Sequence, residues 1–325
     1  MTKPLFENLV GQESLKSKLQ FGVESFKAGR PLPHYLFVSS YGFGKTRFVR
    51  EFARQAALSR QEAAGGDKGK YIEINSANIK SVSWFVEKIF MPHLQDRNTH
   101  LLCDESHELP KSVQTWFLTV LNTEKSHIRR VAYEDSEIEF DFSRISIHFA
   151  TTDANKLSKP LKSRMELMTF APYTNENLSD IIQINSQDIE YQENILEEIV
   201  SSIKPYPRAA EIMARKISDF CAIKGRKEFD TADFLNLANM ADIKAHGLDS
   251  IELSILKLLA DRGPMTLTEI SACLSIPTTA LRQDHEYHLL KKGFLRLNGK
   301  RELSSSGRKV LENFKTVWPA KQSTL

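Results

Sequence analysis

Hydrophobic positions change period along this chain. Over the first 173 residues, short apolar runs at 34–38, 71–75, 100–104 and 145–151 read as strands. Between them, apolar residues recur every three or four positions: Phe48, Val49, Phe52 and Ala56 share one face of a predicted helix over 45–60. Further helices are expected over 82–90 and 112–121, and a hairpin over 128–142. Strands alternating with helices at this spacing predict a mainly parallel sheet covered on both faces, with ligands at the carboxyl ends of its strands.

From 174 to 245 the pattern is helical throughout, with Leu178/Ile181/Ile182, Ile195/Ile199/Ile203 and Ile212/Ala214/Ile217 spaced about one turn apart. After a break at His246-Gly247, helices over 251–259, 267–274 and 278–290 precede a hairpin around Asn298-Gly299, which predicts a winged helix-turn-helix. The expected organisation is an α/β P-loop domain (1–173), a small helical lid (174–245) and a winged-helix domain (246–325). Residues 61–70, with Ala-Ala-Gly-Gly-Asp-Lys-Gly-Lys, have linker composition and are expected to be mobile.

A length of 325 residues suits such a multidomain chain. No run approaches the roughly 18–20 apolar residues of a membrane helix, and the N-terminus has no apolar signal region, so no membrane partner and a cytoplasmic location are expected. Cys103, Cys221 and Cys273 are far apart and form no CxxC pair, which leaves neither a zinc site nor a disulfide framework. The net charge of +3 is small, but the last 80 residues hold 12 basic against 8 acidic residues while the rest holds 32 against 33. The positive surplus therefore falls on the winged domain, where DNA contact is expected.

The loop Ser39-Ser-Tyr-Gly-Phe-Gly-Lys-Thr46 lies between a predicted strand and helix, where backbone N–H groups and the helix dipole hold phosphates. Gly42, Phe43, Gly44, Lys45, Thr46 and Arg47 are the expected nucleotide contacts, with Lys45 on the β- and γ-phosphates and Thr46 on Mg²⁺. Ser39 stands where the usual P-loop has its first glycine. About sixty residues later an apolar strand ends in Asp104-Glu105. Asp104 would hold Mg²⁺ and Glu105 would polarise the attacking water, so ATP and Mg²⁺ are the expected cofactors.

Along nearly its whole length the chain resembles RuvB, the family of AAA+ Holliday-junction branch-migration motors. Phe6-Glu-Asn-Leu-Val-Gly-Gln12 resembles the family's opening box, Asp104-Glu-Ser-His107 its DExH strand, Ala150-Thr-Thr152 its ATT segment and Pro160-Leu-Lys-Ser-Arg164 its PLRxR. Pro207-Arg208, Gly247-Leu-Asp249 and Leu289-Leu-Lys-Lys-Gly-Phe-Leu295 resemble its lid and winged helix. The resemblance implies sensor 1 at Thr152, an arginine finger at Arg164, sensor 2 at Arg208, and Val10 and Tyr173 beside adenine. It also implies a ring-forming ATPase, hexameric in the family, that moves on double-stranded or branched DNA. Bland alternatives are a capping threonine, solvated arginines and core packing.

Two departures stand out. Ser39 replaces the glycine, with Ser40-Tyr41 where the family has Pro-Pro. The hairpin with which the family grips RuvA is short and polar here (Arg129-Arg-Val-Ala-Tyr-Glu-Asp-Ser136), which argues for an adaptor other than RuvA. In the winged domain, Arg282, His285 and His288 fall on the candidate recognition helix, and Arg296, Lys300 and Arg301 on the wing as DNA contacts; the two histidines, lacking a further ligand nearby, are expected on the surface. Competing readings are an AAA+ loader that remodels a protein on DNA, and a nucleotide-gated scaffold with little turnover.

Overall fold

The computed structural model describes residues 5–64, 69–94, 99–121, 128–133, 136–142 and 145–317. The chain divides into two compact units, residues 1–181 with 205–211, and residues 182–204 with 212–325.

In chain order the first unit contains α1 (Glu13–Lys27), β1 (Tyr35–Val38), α2 (Lys45–Ala64) and β2 (Lys70–Asn75). A short helix α3 (Val82–Phe85) widens into a π-helical stretch, Val86–Leu94. Then come β3 (Thr99–Asp104), α4 (Lys111–Val120), the antiparallel pair β4 (Ile128–Tyr133) and β5 (Ser136–Asp141), β6 (Ile145–Thr151), α5 (Lys159–Lys162) and β7 (Glu166–Thr169). The five-stranded sheet has the order β2-β3-β6-β1-β7 and is parallel throughout. Every residue of β6 is buried, because the sheet is covered on both faces. Ile147 and Phe149 join Phe85, Phe90 and Phe117 in one core, and Ala150 joins Phe37, Phe48, Phe52 and Leu102 in the other. Truncating a fully buried ring such as Phe149 to alanine costs about 3–5 kcal/mol.

Two expectations need correction here. Helix α2 runs on through Ala64, since Gln-Glu-Ala-Ala are good helix formers, and residues 65–68 of the expected linker lie outside the described residues. The helix expected over 82–90 instead continues to Leu94 with π geometry around Pro92, which has no N–H for a normal helical bond. The hairpin sits where the pattern placed it, with its turn residues 134–135 outside the described ones.

The stretch expected to be a helical lid contains α6 (Asn175–Asn185), α7 (Ile195–Ser201), α8 (Pro207–Lys224) and α9 (Thr231–Met240). The stretch is not wholly helical: β8 (Glu190–Tyr191) and β9 (Glu228–Phe229) form a short parallel ladder. The winged domain contains α10 (Ser250–Arg262) and α11 (Leu267–Leu274), each opened by a capping box, Asp249 with Glu252 and Thr266 with Glu269. Residues 278–291 form the next helix, with π-helical turns at Leu281–Glu286. The wing is β10 (Leu295–Asn298) against β11 (Lys300–Leu303), extended by a Met265–Arg301 bridge. A final helix, Ser305–Val317, sends Val310 and Leu311 into the core with Leu256, Leu281, Leu289 and Phe294.

Candidate nucleotide site

Strand order decides where the chemistry meets. β6 lies between β1 and β3, so the loop after β1, the acidic end of β3 and the Thr151-Thr152 end of β6 share one edge of the sheet. In the loop, Gly42 and Gly44 have φ of 81° and 88°, a left-handed backbone that glycine adopts without strain. Ser39 does not have a positive φ, so its side chain costs the backbone nothing where a glycine is usual. The Lys45 ammonium donates to the carbonyls of Ser39 (3.1 Å) and Ser40 (3.3 Å). Burial pulls its pKa down, while Glu105 and Asp104 act in the opposite direction.

Thr46 Oγ1 donates to Asp104 Oδ2 at 2.9 Å, which joins the two groups assigned to one cation. The other oxygen, Oδ1, accepts the Glu105 N–H at 2.9 Å. Glu105 is a non-glycine residue in the left-handed region (φ 47°, ψ 46°), a conformation that costs on the order of 1–3 kcal/mol and persists only when its surroundings impose it. Its buried Oε2 accepts no hydrogen bond; His107 Nδ1 is 3.4 Å away, a charge contact only when the imidazole is protonated. His107 Nδ1 is also 3.1 Å from Thr151 Oγ1. Thr151 is wholly buried and its hydroxyl also accepts the Asp153 N–H at 3.0 Å, whereas Thr152, the residue assigned to sensor 1, is exposed just beyond the strand.

The opening box contributes a residue to which the sequence alone assigns no role of its own. Gln12 clamps the Ala171 backbone on both sides, donating to its carbonyl (2.7 Å) and accepting its N–H (2.8 Å). Val10, two residues before Gln12, is half-buried. The Tyr173 hydroxyl donates to the Phe43 carbonyl (3.2 Å), their rings meet edge to face at 5.9 Å, and burial pushes the phenol up to about 12. Only a buried polar side chain amid Val-Gly-Gln could have signalled Gln12, and its partner is 159 residues away.

Residues 205–211 belong to this same unit. Arg47 pairs with Glu211 at 3.0 Å. The Arg208 N–H donates to the Gly42 carbonyl (3.3 Å), and its guanidinium stands 4.7 Å over the exposed Tyr41 ring. Arg164 donates to the Pro160 carbonyl at 3.0 Å and, among the described residues, has no carboxylate partner.

In the winged domain, Arg296 and Lys300 are exposed on the wing and Arg282 on the preceding helix. Arg301 is not free: its largely buried side chain donates to Glu286 Oε1 at 2.5 Å. The surface expectation for the histidines also fails. His285 and His288 are buried, with Nδ1 atoms 3.2 Å from Asp249 Oδ2 and 2.9 Å from Glu252 Oε1. Lys204 Nζ sits against both carboxylates, at 3.0 Å and 3.2 Å. An ammonium already fills the place a metal would take between Asp249, Glu252 and His285, so this is a charge cluster. Burial pushes the Asp249 carboxyl up, but the Glu252 N–H and Lys204 outweigh it and hold it low.

Residues 245–312 match the family model described as the RuvB C-terminal winged helix domain. Across the chain, RuvB of Thermotoga petrophila is 25% identical over 297 residues, covering 89% of this chain and 85% of that protein. The chain is RuvB-like. RuvB of Fusobacterium nucleatum is 25% identical over 320 residues, covering 96% of this chain and 92% of its own. Among solved structures, Thermotoga maritima RuvB, described as a Holliday junction branch migration motor, is similar with a TM-score of 0.75 at 23% identity, covering 95% of the RuvB-like chain and 97% of its own. That likeness is one of fold and covers most of the chain.

Proposed function

We propose that this RuvB-like chain is a ring-forming AAA+ ATPase that couples ATP hydrolysis to movement on branched or double-stranded DNA. Its relatives are named subunits of the Holliday junction branch migration complex. The observation that carries the reading is the meeting of Lys45, Thr46, Asp104 and a strained Glu105 at one edge of the sheet.

The residues fit ATP and Mg²⁺. Gly42 and Gly44 adopt the left-handed backbone of a phosphate-binding loop, with open space beside Gly44, and Lys45, hydrogen-bonded to two carbonyls, can move its ammonium to the β- and γ-phosphates. Thr46 and Asp104 meet at one point and would hold Mg²⁺, which when bound would supply neutralisation of phosphate charge. Glu105, with an oxygen that accepts no hydrogen bond, orients the attacking water and receives its proton. Thr152 senses the γ-phosphate from the end of β6, while Gly42, Phe43, Gly44, Arg47, Val10 and Tyr173 frame the nucleotide. Arg208 reads the nucleotide from the start of α8, and Arg164 reaches the site of the next subunit. Arg296 and Lys300 contact DNA phosphates, with an adaptor other than RuvA docking at the polar hairpin.

A mixing experiment tests the shared site. Arg164→Ala and Glu105→Gln each bind ATP and hydrolyse almost none, since an arginine supplied in trans is worth about 10³–10⁵ in rate. Mixed rings contain interfaces with both groups intact, and activity returns in part. Mixed rings as inactive as the separate variants, with subunit exchange verified by mass, would refute the ring mechanism.

A further inference from the structure

Tyr41 lies in the loop just before Gly42 and makes a contact that only an aromatic ring can make. Its ring is 62% exposed on the flank of the P-loop, and the Arg208 guanidinium lies 4.7 Å above the ring centroid. Two further contacts hold the backbone of Arg208 against the loop. Its N–H donates to the Gly42 carbonyl at 3.3 Å, and a Cβ on Gly42 would lie 3.3 Å from Arg208 Cβ and 2.9 Å from the Tyr206 ring. Tyr206-Pro207-Arg208 thus approaches the carbonyl side of the loop at Gly42. Phosphates are held by the opposite side, where backbone N–H groups converge.

From this geometry we infer that Tyr41 is a positioning residue that parks Arg208 away from the γ-phosphate and thereby sets how strongly the site distinguishes ATP from ADP. The inference rests on the proposed role of Arg208 as the γ-phosphate sensor. Arg208 has one guanidinium and two alternatives, the face of Tyr41 or an oxygen of the γ-phosphate. Binding a triphosphate must first lift the arginine off the ring, so its apparent affinity falls by the fraction of molecules in which Arg208 is free. Binding a diphosphate leaves the arginine where it is. An exposed cation over an aromatic face corresponds to about two- to fivefold in such an equilibrium.

The test is equilibrium binding of ATPγS and ADP, each with Mg²⁺, to the full chain and its variants. Tyr41→Leu is expected to bind ATPγS about two- to fivefold more tightly than the parent and ADP equally well, following the cation–π magnitude. Tyr41→Phe keeps the ring face and should match the parent. In an Arg208→Ala background, Tyr41→Leu should change neither affinity. Equal shifts for both nucleotides, or none, would overturn the parking role. If Arg208→Ala weakens ATPγS binding while Tyr41→Leu has no effect, parking alone fails. If Arg208→Ala binds ATPγS like the parent, the sensor assignment fails and the inference with it.

Discussion

Thr46 Oγ1 and Asp104 Oδ2 meet at 2.9 Å although one residue lies in the first turn of α2 and the other ends β3. One residue follows β1 and the other ends β3, with β6 between them, so the contact depends on the crossover topology. The same arrangement separates the roles of neighbouring residues. Lys45→Ala removes the ammonium held at the loop and is expected to abolish ATP binding. Glu105→Gln keeps the left-handed turn and the phosphate contacts, so binding persists while turnover falls by at least about 10², the scale of a missing general base. Nucleotide titration beside steady-state turnover checks both, and a Glu105→Gln protein that hydrolyses ATP at the parent rate would disprove the assignment.

Ser39→Gly is expected to leave nucleotide affinity within about twofold of the parent. Ser39 has an ordinary φ, so glycine relieves no strain there and only adds freedom to the unfolded chain, which lowers stability by about 0.4–1 kcal/mol. Isothermal titration and urea unfolding measure the two effects separately. A marked gain in affinity would show that the serine side chain itself obstructs the loop.

The wing contains two kinds of basic residue. Replacing Arg296 and Lys300 together with alanine should weaken DNA binding on every sequence and reduce the salt slope by about one unit for each phosphate no longer neutralised. Arg301→Gln is expected to act on folding instead, because it leaves the largely buried Glu286 without its cation. Binding isotherms at several salt concentrations, with urea midpoints for each variant, distinguish the two. If Arg301→Gln flattens the salt slope at unchanged stability, its place among the DNA contacts returns.

Acid should destabilise the first unit. Burial holds His34 neutral with a pKa lowered to about 4, its Nδ1 accepting the Ile147 N–H, and burial with His100 and His34 nearby lowers His148 well below 6.5. The unfolded chain therefore binds these protons first. Stability is full above about pH 6.5 and falls as the pH drops toward 4. Urea midpoints between pH 7.5 and 4.5 should decline in the parent and decline less in His34→Gln, which retains an acceptor for Ile147. An identical decline in both would assign the acid lability to other groups.

The P-loop, the acidic strand end and the winged helix are legible in the sequence because each is a local pattern: a GKT before a helix, carboxylates ending an apolar run, and a helical period giving way to a hairpin. What escapes depends on distant partners. Gln12 reads as part of a motif, yet its work is to clamp Ala171. His285 and His288 look like surface residues on a recognition helix until α10 places Asp249 and Glu252 against them. Arg301 counts as wing charge until Glu286 takes it. The paired threonines ending β6 share one motif, but only the pleat decides that Thr151 turns inward to His107 while Thr152 faces out. Helix Ser305–Val317 is a different case: its polar residues outnumber its apolar ones, and only packing against α10 shows which face is inside.

The charge cluster around Lys204 means that the winged helix has two different borders. Its fold begins near residue 245, where the family match starts, but its charge balance is closed by a lysine some forty positions upstream. A fragment cut at 245 retains the fully buried Glu252 and its Asp249 neighbour and loses the ammonium between them. Removing one partner of a buried pair costs about 3–5 kcal/mol, a large share of what a domain this small can spare. The autonomous unit, in the sense of what can be excised and still fold, therefore includes the segment that carries Lys204.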